Sequence, residues 1–381
     1  MFSGVNFFIL GVLRLSDDTY MKLALEYAQK GCGWVNPNPM VGAVVVKDGR
    51  VIGTGYHQRY GELHAERNAL AACTESPQNA TLYVTLEPCC HYGKTPPCTE
   101  AILKSGVRRV VVGTVDPNPL VAGKGIQILR EHGIEVTEGV LRETCTKLNE
   151  VFFHFIQTKT PFVVMKYAMT MDGKIATHSG QSKWITGETA RRRVQEDRHR
   201  YSGIMVGVGT ILADDPLLTC HLSDSKNPIR IICDSRLRTP LNARVVQTAG
   251  DAPTILVTCS QDEALARPYR DAGCEVLTLP TMDGHVDLRE LIAVLGEKEI
   301  DSVLLEGGSE LNWSALQSGI VNKVQAYVAP KLFGGADAKC PVGGIGVKDP
   351  EKAFRLASPQ ITRLGEDVLL ENEVLPCLQE S

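Results

Sequence analysis

The tightest constraint on this 381-residue chain is a set of metal-binding residue types: His64-Ala65-Glu66, then Pro88-Cys89, then Cys98. One imidazole and two thiolates suit zinc and leave its fourth tetrahedral position open to water. Water held there loses a proton far more readily than free water does. Glu66 is not needed as a ligand. Placed there, it can take the water's proton and return protons to a reacting ring, work typically worth about 10²–10⁴ in rate. The chain must therefore fold so that the start of one helix and two later turns meet at a point. Both cysteines are expected to follow turns that precede helices, where the N-terminal dipole favours thiolate. The competing arrangement is a closed structural site with Cys90 as fourth ligand, which leaves Glu66 without a purpose.

Composition sets the bounds. With 43% apolar and 22% charged residues, the chain has the makings of a globular protein of two or three domains. Its 40 basic and 44 acidic residues give a net charge of -4. That balance argues against a protein that grips nucleic-acid backbone, and leaves room for a local basic pocket. The twelve cysteines are scattered over a long chain, which fits free thiols in a reducing cytoplasm better than a disulfide scaffold. Cys32, Cys73, Cys145, Cys220, Cys233, Cys259, Cys274, Cys340 and Cys377 read as small buried hydrophobes or surface thiols. Residues 1–15 hold an apolar run, Val5 to Leu13, that is too short to span a bilayer. It lacks a basic flank and a small-residue cleavage site, so it reads as a disordered or loosely packed extension, or a misplaced start. No membrane partner is expected.

The folded part is expected from Ser16, with Ser16-Asp17-Asp18 opening a helix that Gly31 stops. Val41–Val46 and Val51–Gly53 flank an Asp-Gly turn and read as a hairpin. A helix from about His64, a strand at 81–86, a helix from Cys98 to Gly106, a strand at 109–113, a helix at 125–132 and a strand at 134–138 follow. Residues 16–158 thus form one mixed α/β domain of about five strands, closed by a linker at Thr158–Pro161. Residues 160–376 restart the pattern, with strands at 162–168, 203–207, 229–233, 254–258, 275–279 and 302–306 and a helix through 188–200. Strands alternating with helices imply a largely parallel sheet with a ligand at its carboxyl edge.

The H-x-E…P-C…C order is that of zinc-dependent deaminases acting on nucleobase-like rings. Those usually separate the two cysteines by two residues, whereas here eight intervene, Cys90 through Pro97. The run Thr85–Cys98 closely resembles the bifunctional deaminase–reductase family of riboflavin biosynthesis, as do Asn36–Gly42, Asp116–Pro119 and Val121–Gly125. The likeness extends from about Tyr20 to about residue 370. It implies a cytidine-deaminase-like three-layer α/β/α domain that deaminates a diaminopyrimidinone carrying a phosphoribosylamino group. Asn38, His57, His91 and Lys94 would hold that substrate. Taken alone, Asn38 could equally be a turn residue, His57 a strand-end histidine and Lys94 a solvated charge. Cys90 departs from the serine common at that position.

The second half is less explicit by motif. Gly207-Val208-Gly209-Thr210 is not a dinucleotide fingerprint, and Glu306-Gly307-Gly308-Ser309 is either a phosphate cradle or a plain tight turn. Lys166, Met171–Ala176, Ser182–Thr186, Leu212–Pro216 and Lys331–Gly335 resemble the reductase half of the same family. That resemblance implies a dihydrofolate-reductase-like α/β fold and NADPH as hydride donor. It places Ala168, Trp184, Thr210, Asp214, Ser235, Gly308 and Ser309 on the cofactor, and Ser182, Arg198, Leu218, His221 and Glu306 on the substrate. Lys166 would assist opening of the ribose, and the role of Asp172 stays open. His221 stands where the family usually has arginine, a bidentate and always charged phosphate ligand. The resemblance also implies a cytoplasmic homo-oligomer acting on a small molecule. Two other readings compete: a nucleoside, nucleotide or tRNA-base deaminase with a non-catalytic second half, and a zinc-stabilised module that senses a nucleotide.

Overall fold

A computed structural model describes residues 16–93 and 95–376. Residues 1–15, Lys94 and Cys377, all named above, lie outside the described residues. The chain divides into two compact units between Gln157 and Thr158.

The N-terminal unit opens with α1 (Asp17–Gln29), β1 (Gly42–Lys47), β2 (Arg50–Tyr56), α2 (Ala65–Ala71) and β3 (Thr81–Leu86). It continues with α3 (Cys98–Ser105), β4 (Arg109–Thr114), α4 (Lys124–Glu131), β5 (Glu135–Glu138), α5 (Arg142–Leu148) and α6 (Glu150–Thr158). Ser16 caps α1, though its hydroxyl meets Thr19 Oγ1 at 3.1 Å rather than a backbone amide. The β1–β2 hairpin turns through Asp48 and Gly49, both at positive φ (50° and 76°), the geometry an Asp-Gly pair favours.

The five strands pair in the order β2-β1-β3-β4-β5, with β3, β4 and β5 parallel and the β1 pairings antiparallel. Strand alternation decides which helix each side chain meets. Ala43, Val45, Leu82, Val84, Val110 and Val112 face α2, α3 and α4, where they pack with Ala65, Ala69, Ile102 and Ile126. Val44, Val46, Tyr83 and Val111 face Tyr20, Met21 and Ala24 of α1 and Cys145 of α5. Those are three layers, α/β/α.

One close approach sets the height of α2 over the sheet. A Cβ at Gly55 would lie 2.3 Å from Ala69 N and 2.6 Å from Ala65 O, both backbone atoms of α2. Only hydrogen fits there.

The C-terminal unit begins with β6 (Phe162–Thr170), α7 (Glu188–Arg200), β7 (Gly203–Gly207), α8 (Val208–Asp214), β8 (Ile229–Cys233), α9 (Arg244–Gln247), β9 (Thr254–Thr258) and α10 (Glu263–Asp271). Then come β10 (Glu275–Thr278), β11 (Thr281–Met282), β12 (His285–Val286), α11 (Leu288–Glu297), β13 (Ser302–Leu305), α12 (Ser309–Gln317), β14 (Lys323–Ala329), β15 (Gln360–Leu364) and β16 (Asp367–Glu373). Nine strands form one sheet in the order β10-β9-β8-β7-β13-β6-β14-β16-β15. The first seven are parallel, and β16 and β15 close one edge antiparallel. The carboxyl ends of β6, β7, β8 and β13 therefore lie along one edge, where an open α/β sheet binds its ligand.

We expect Gly55→Ala to lower stability by about 1–3 kcal/mol through overpacking and to reduce metal occupancy, because α2 carries Glu66 and follows His64. Thermal unfolding and metal analysis read both. Full metal content in the alanine variant would refute the link.

Candidate active sites

In the N-terminal unit, His64 caps α2, Cys98 opens α3, and Cys89 sits three residues past the end of β3. The three donor atoms lie within 4.8 Å of one another. Each sulfur approaches His64 Nδ1, Cys89 Sγ at 3.4 Å and Cys98 Sγ at 3.5 Å. A tetrahedral zinc with ordinary bond lengths sets imidazole nitrogen and thiolate sulfur about 3.6 Å apart, so the donor set fits that ion. Cys90 stands apart from the cluster and donates to Leu120 O at 3.8 Å. A closed four-ligand site is not what these residues form.

One expectation needs correcting. Cys89 does not immediately precede a helix, because the inserted residues separate it from α3. Its sulfur reaches the helix start through space, accepting the Cys98 N–H at 3.3 Å, while its carbonyl accepts from Thr99 N at 3.2 Å. Hydrogen bonding from Cys98 brings the Cys89 thiol down to about 4, with His64 adding to it against burial. The same contact with Cys89 pushes Cys98 up.

Glu66 is buried in α2, 3% exposed. Burial first, and then the charge of Cys89, raise its carboxyl to about 7. It lines a cavity of about 260 Å³ together with Asn38, His57, His64, Cys89 and His91. His57 is fixed at both ring nitrogens. Its Nε2 accepts from Asn38 Nδ2 at 3.2 Å, so Nδ1 carries the proton and donates to Leu63 O at 3.2 Å. Burial lowers its pKa, which favours the neutral ring. His91 Nδ1 is buried without a hydrogen-bond partner among the described residues, so this wall has a polar atom left for a ligand. Lys94 lies outside the described residues.

Two further residues belong here that motif reasoning left without a role. Asp116 and Asn118 line the same cavity, and burial raises the Asp116 carboxyl to about 6. Their signal was available: an acidic residue placed just past the carboxyl end of a parallel strand. Glu87 is buried and accepts from Asp116 N, Gly123 N and Ile126 N at 2.9–3.2 Å. It ties the Cys89 turn to the connection that carries Asp116 and Asn118.

In the C-terminal unit, Lys166 of β6 and Arg198 of α7 converge on Glu306, just past β13. Lys166 Nζ lies 3.5 Å from Glu306 Oε2, and Arg198 binds it with Nε at 2.8 Å and Nη2 at 3.1 Å. Burial alone would raise the Glu306 carboxyl, but the guanidinium and ammonium outweigh it and hold it at about 2. Arg198 also donates to Thr219 O at 3.0 Å, next to buried Leu218. His221 follows on the surface, its Nε2 3.2 Å from Thr219 Oγ1 and its N–H on Gln195 Oε1. Arg230, fully buried, grips the same segment at Leu217 O. Lys166, Arg198, Glu306, Leu218 and His221 therefore form one connected group.

The residues assigned to the cofactor follow the sheet edge. Thr210 lies in α8 beyond β7, Ser235 beyond β8, and Gly308 caps α12 beyond β13. Gly308 and Thr210 adjoin, since a Cβ on Gly308 would sit 3.9 Å from Thr210 Oγ1. The start of the nine-residue α12, at Ser309, leaves amide donors suited to a phosphate. Ala168 lies on β6 opposite Tyr327 of β14. Trp184 is exposed beside Arg191, whose guanidinium lies 4.8 Å from the ring centre. No hydrogen bond among the described residues ties Ser182 or Asp214 to the Glu306 group. Asp172 is a loop fastener: it accepts from Thr170 Oγ1, Phe333 N and Gly334 N, which hold its carboxyl at about 2.

Residues 161–370 match the family model described as RibD C-terminal domain. Residues 15–114 match the cytidine and deoxycytidylate deaminase zinc-binding region. A riboflavin biosynthesis protein RibD of Actinobacillus pleuropneumoniae is 53% identical over 361 residues, 95% of this chain and 96% of that protein. The chain belongs to the RibD family. A crystal structure from Thermotoga maritima, named as a diaminohydroxyphosphoribosylaminopyrimidine deaminase/5-amino-6-(5-phosphoribosylamino)uracil reductase, is 42% identical, with TM-score 0.82 over 94% of this chain and 99% of that one. RibD of Acinetobacter baumannii superposes with TM-score 0.84 at 38% identity over 94% of this chain and 99% of that one. Like the rest of the RibD family, the chain is a bifunctional deaminase and reductase of riboflavin biosynthesis, with zinc serving the first activity and NADPH the second.

The depressed Glu306 carboxyl makes a signed prediction. Its contribution to stability is present above its ordinary value of 4.5 and is lost as pH falls towards about 2, on the order of 3 kcal/mol in total. Urea unfolding between these limits should show a steep acid limb in the parent protein and a flatter one in Glu306→Gln. Parallel limbs in the two proteins would contradict the assignment.

Proposed function

We propose that the first site removes the exocyclic amine of a diaminopyrimidinone bearing a phosphoribosylamino group, and that the second reduces the ribose of the product to a ribityl chain. The observation that carries the first half is the three-donor cluster with buried Glu66 beside it in one cavity. Zinc held by His64, Cys89 and Cys98 supplies Lewis acidity that makes water a nucleophile near neutral pH. Glu66 takes the proton of the attacking water and returns protons to the ring nitrogen and to the departing ammonia. Asn38, His57 and His91 orient the ring, and Lys94 takes the phosphoribosyl arm.

In the second site NADPH supplies the hydride, held along the sheet edge by Ala168, Trp184, Thr210, Asp214, Ser235, Gly308 and Ser309. As the C1′–O4′ bond of the ribose opens, O4′ would take a proton from Lys166, leaving C1′ as the position to be reduced. Glu306 and Arg198 hold Lys166 and the sugar in register, with Ser182, Leu218 and His221 completing the substrate wall. We further propose a homo-oligomer working in the cytoplasm, in keeping with the assembly habit of the family. Among the described residues no helix is long and apolar enough to cross a membrane.

A nucleoside or tRNA-base deaminase with an inert second half is not favoured, because relatives match across both units. A nucleotide sensor leaves Glu66 unexplained. Glu66→Ala and Lys166→Ala, assayed separately for ammonia release and NADPH oxidation, test the two-site assignment. Glu66→Ala should lose only the first activity, by about 10² or more, and Lys166→Ala only the second. Loss of both activities from either change in folded protein would sink it.

His221 gives a second test. Arginine binds phosphate as a bidentate fork where histidine offers a single donor, so His221→Arg should lower the reductase KM for substrate severalfold. A KM unchanged in His221→Arg and in His221→Ala would remove His221 from the phosphate.

A further inference from the structure

We infer that Asn149 is a positioning residue for deamination, holding the cavity wall that presents Asn38 and His57 to the substrate ring. The inference rests on the proposed role of Asn38. Asn149 is 2% exposed and lies at the break between α5 and α6. Its side-chain amide grips a single residue twice: Oδ1 accepts from Met40 N at 2.8 Å, and Nδ2 donates to Met40 O at 2.9 Å. That is the pairing a strand neighbour would offer, supplied by one side chain to a residue that precedes β1 and lies outside its ladder.

Met40 lies within the segment that forms the wall. Asn38, Pro39 and Val41 line the cavity, as does Phe152 one turn into α6. Asn38 reaches His57 through its side chain, and Val41 O accepts from His57 N at 2.9 Å. The clamp at Met40 therefore sits between the two contacts that aim Asn38 and His57. Asn149 itself is held on its own element, with its N–H on Thr146 O at 3.1 Å and its carbonyl taking Phe153 N at 2.9 Å. A shift of the wall by a few tenths of an ångström would misplace ring contacts, while the zinc ligands keep their own anchors on α2, α3 and the turn after β3, with His64 meeting the wall through the edge-on His57 ring, centroids 5.3 Å apart.

Asn149→Asp is the sharpest probe. It keeps the shape and the acceptor, removes the donor, and sets a carboxylate against Met40 O. In the full chain we expect the deamination KM to rise about tenfold or more while kcat changes by less than about threefold. Zinc content and NADPH oxidation on supplied intermediate should match the parent. Asn149→Ser, whose hydroxyl stops about one bond short of both Met40 groups, should show the same split and serves if the aspartate variant does not fold.

Asn38→Ala and the double variant complete a cycle. If Asn149 acts through Asn38, the double variant is no worse than Asn38→Ala alone. Parent-like KM in both Asn149 variants, loss of zinc together with equal falls in kcat and kcat/KM, or, where Asn38→Ala itself raises KM, additive effects in the cycle would each overturn the inference. If Asn38→Ala leaves KM unchanged while Asn149→Asp raises it, the Asn38 assignment fails and the wall acts through His57.

Discussion

Three soft donors can share one tetrahedral ion only if their atoms converge to within a few ångströms, and much of the N-terminal unit follows from that demand. The donors come from three places in the chain, so each must be held by an element whose position is set independently. Gly55 fixes how deeply α2 sits on β2, and through it the position of His64 and Glu66. The parallel pairing of β3 with β4 aims the turn that carries Cys89 at the sheet's carboxyl edge. Glu87 then binds that turn to the following connection with three backbone hydrogen bonds. A buried carboxylate is expensive unless its oxygens are satisfied. Here they are, by amides that would otherwise be orphans near the start of α4.

The C-terminal unit meets a different requirement with the same edge. It buries the Lys166 ammonium, and a lone buried ammonium is not tolerated. Glu306 compensates Lys166, and Arg198 compensates Glu306 while reaching on to Thr219 O. Such a group adds little net stability over a hydrophobic replacement, yet removing one member leaves a bare charge behind. Its worth is geometric, since it locks Lys166 and the segment around Thr219 to each other. Arg230 serves that segment through neutral acceptors, with no salt bridge among the described residues. Its guanidinium is spent on Leu217 O, Thr248 Oγ1 and O, Ala252 O and Thr254 Oγ1.

Much of this was legible in the chain, and the legible parts share a physical cause. Periodicity reports burial on one face. The hairpin of β1 and β2, the strands β3 and β4 and the parallel run from β6 to β13 all announce themselves by apolar alternation or by unbroken apolar stretches. The zinc residues were legible because few chemistries need that donor set at that spacing. What stayed hidden are elements whose buried faces carry polar atoms. β14 buries Lys323 and Gln325, and β16 begins with buried Asp367, so neither reads as a core strand. α5 has a weak stripe around Cys145, and α6 buries only Val151 fully among its described residues.

The residues that hold a site in place are harder to read than those that act in it, and Asn149 shows why. A metal ligand is recognised by its own chemistry, whereas Asn149 works through the backbone of Met40, more than a hundred positions earlier. Backbone N–H and C=O groups are the same in every residue but proline, so the partner leaves no trace in composition or spacing. Glu87 has the same character, because all three of its partners are backbone amides. A side chain that binds backbone at long range becomes visible only when the fold brings the two together. There its geometry is a stronger argument than its identity: one amide, buried, matched atom for atom to a single peptide group.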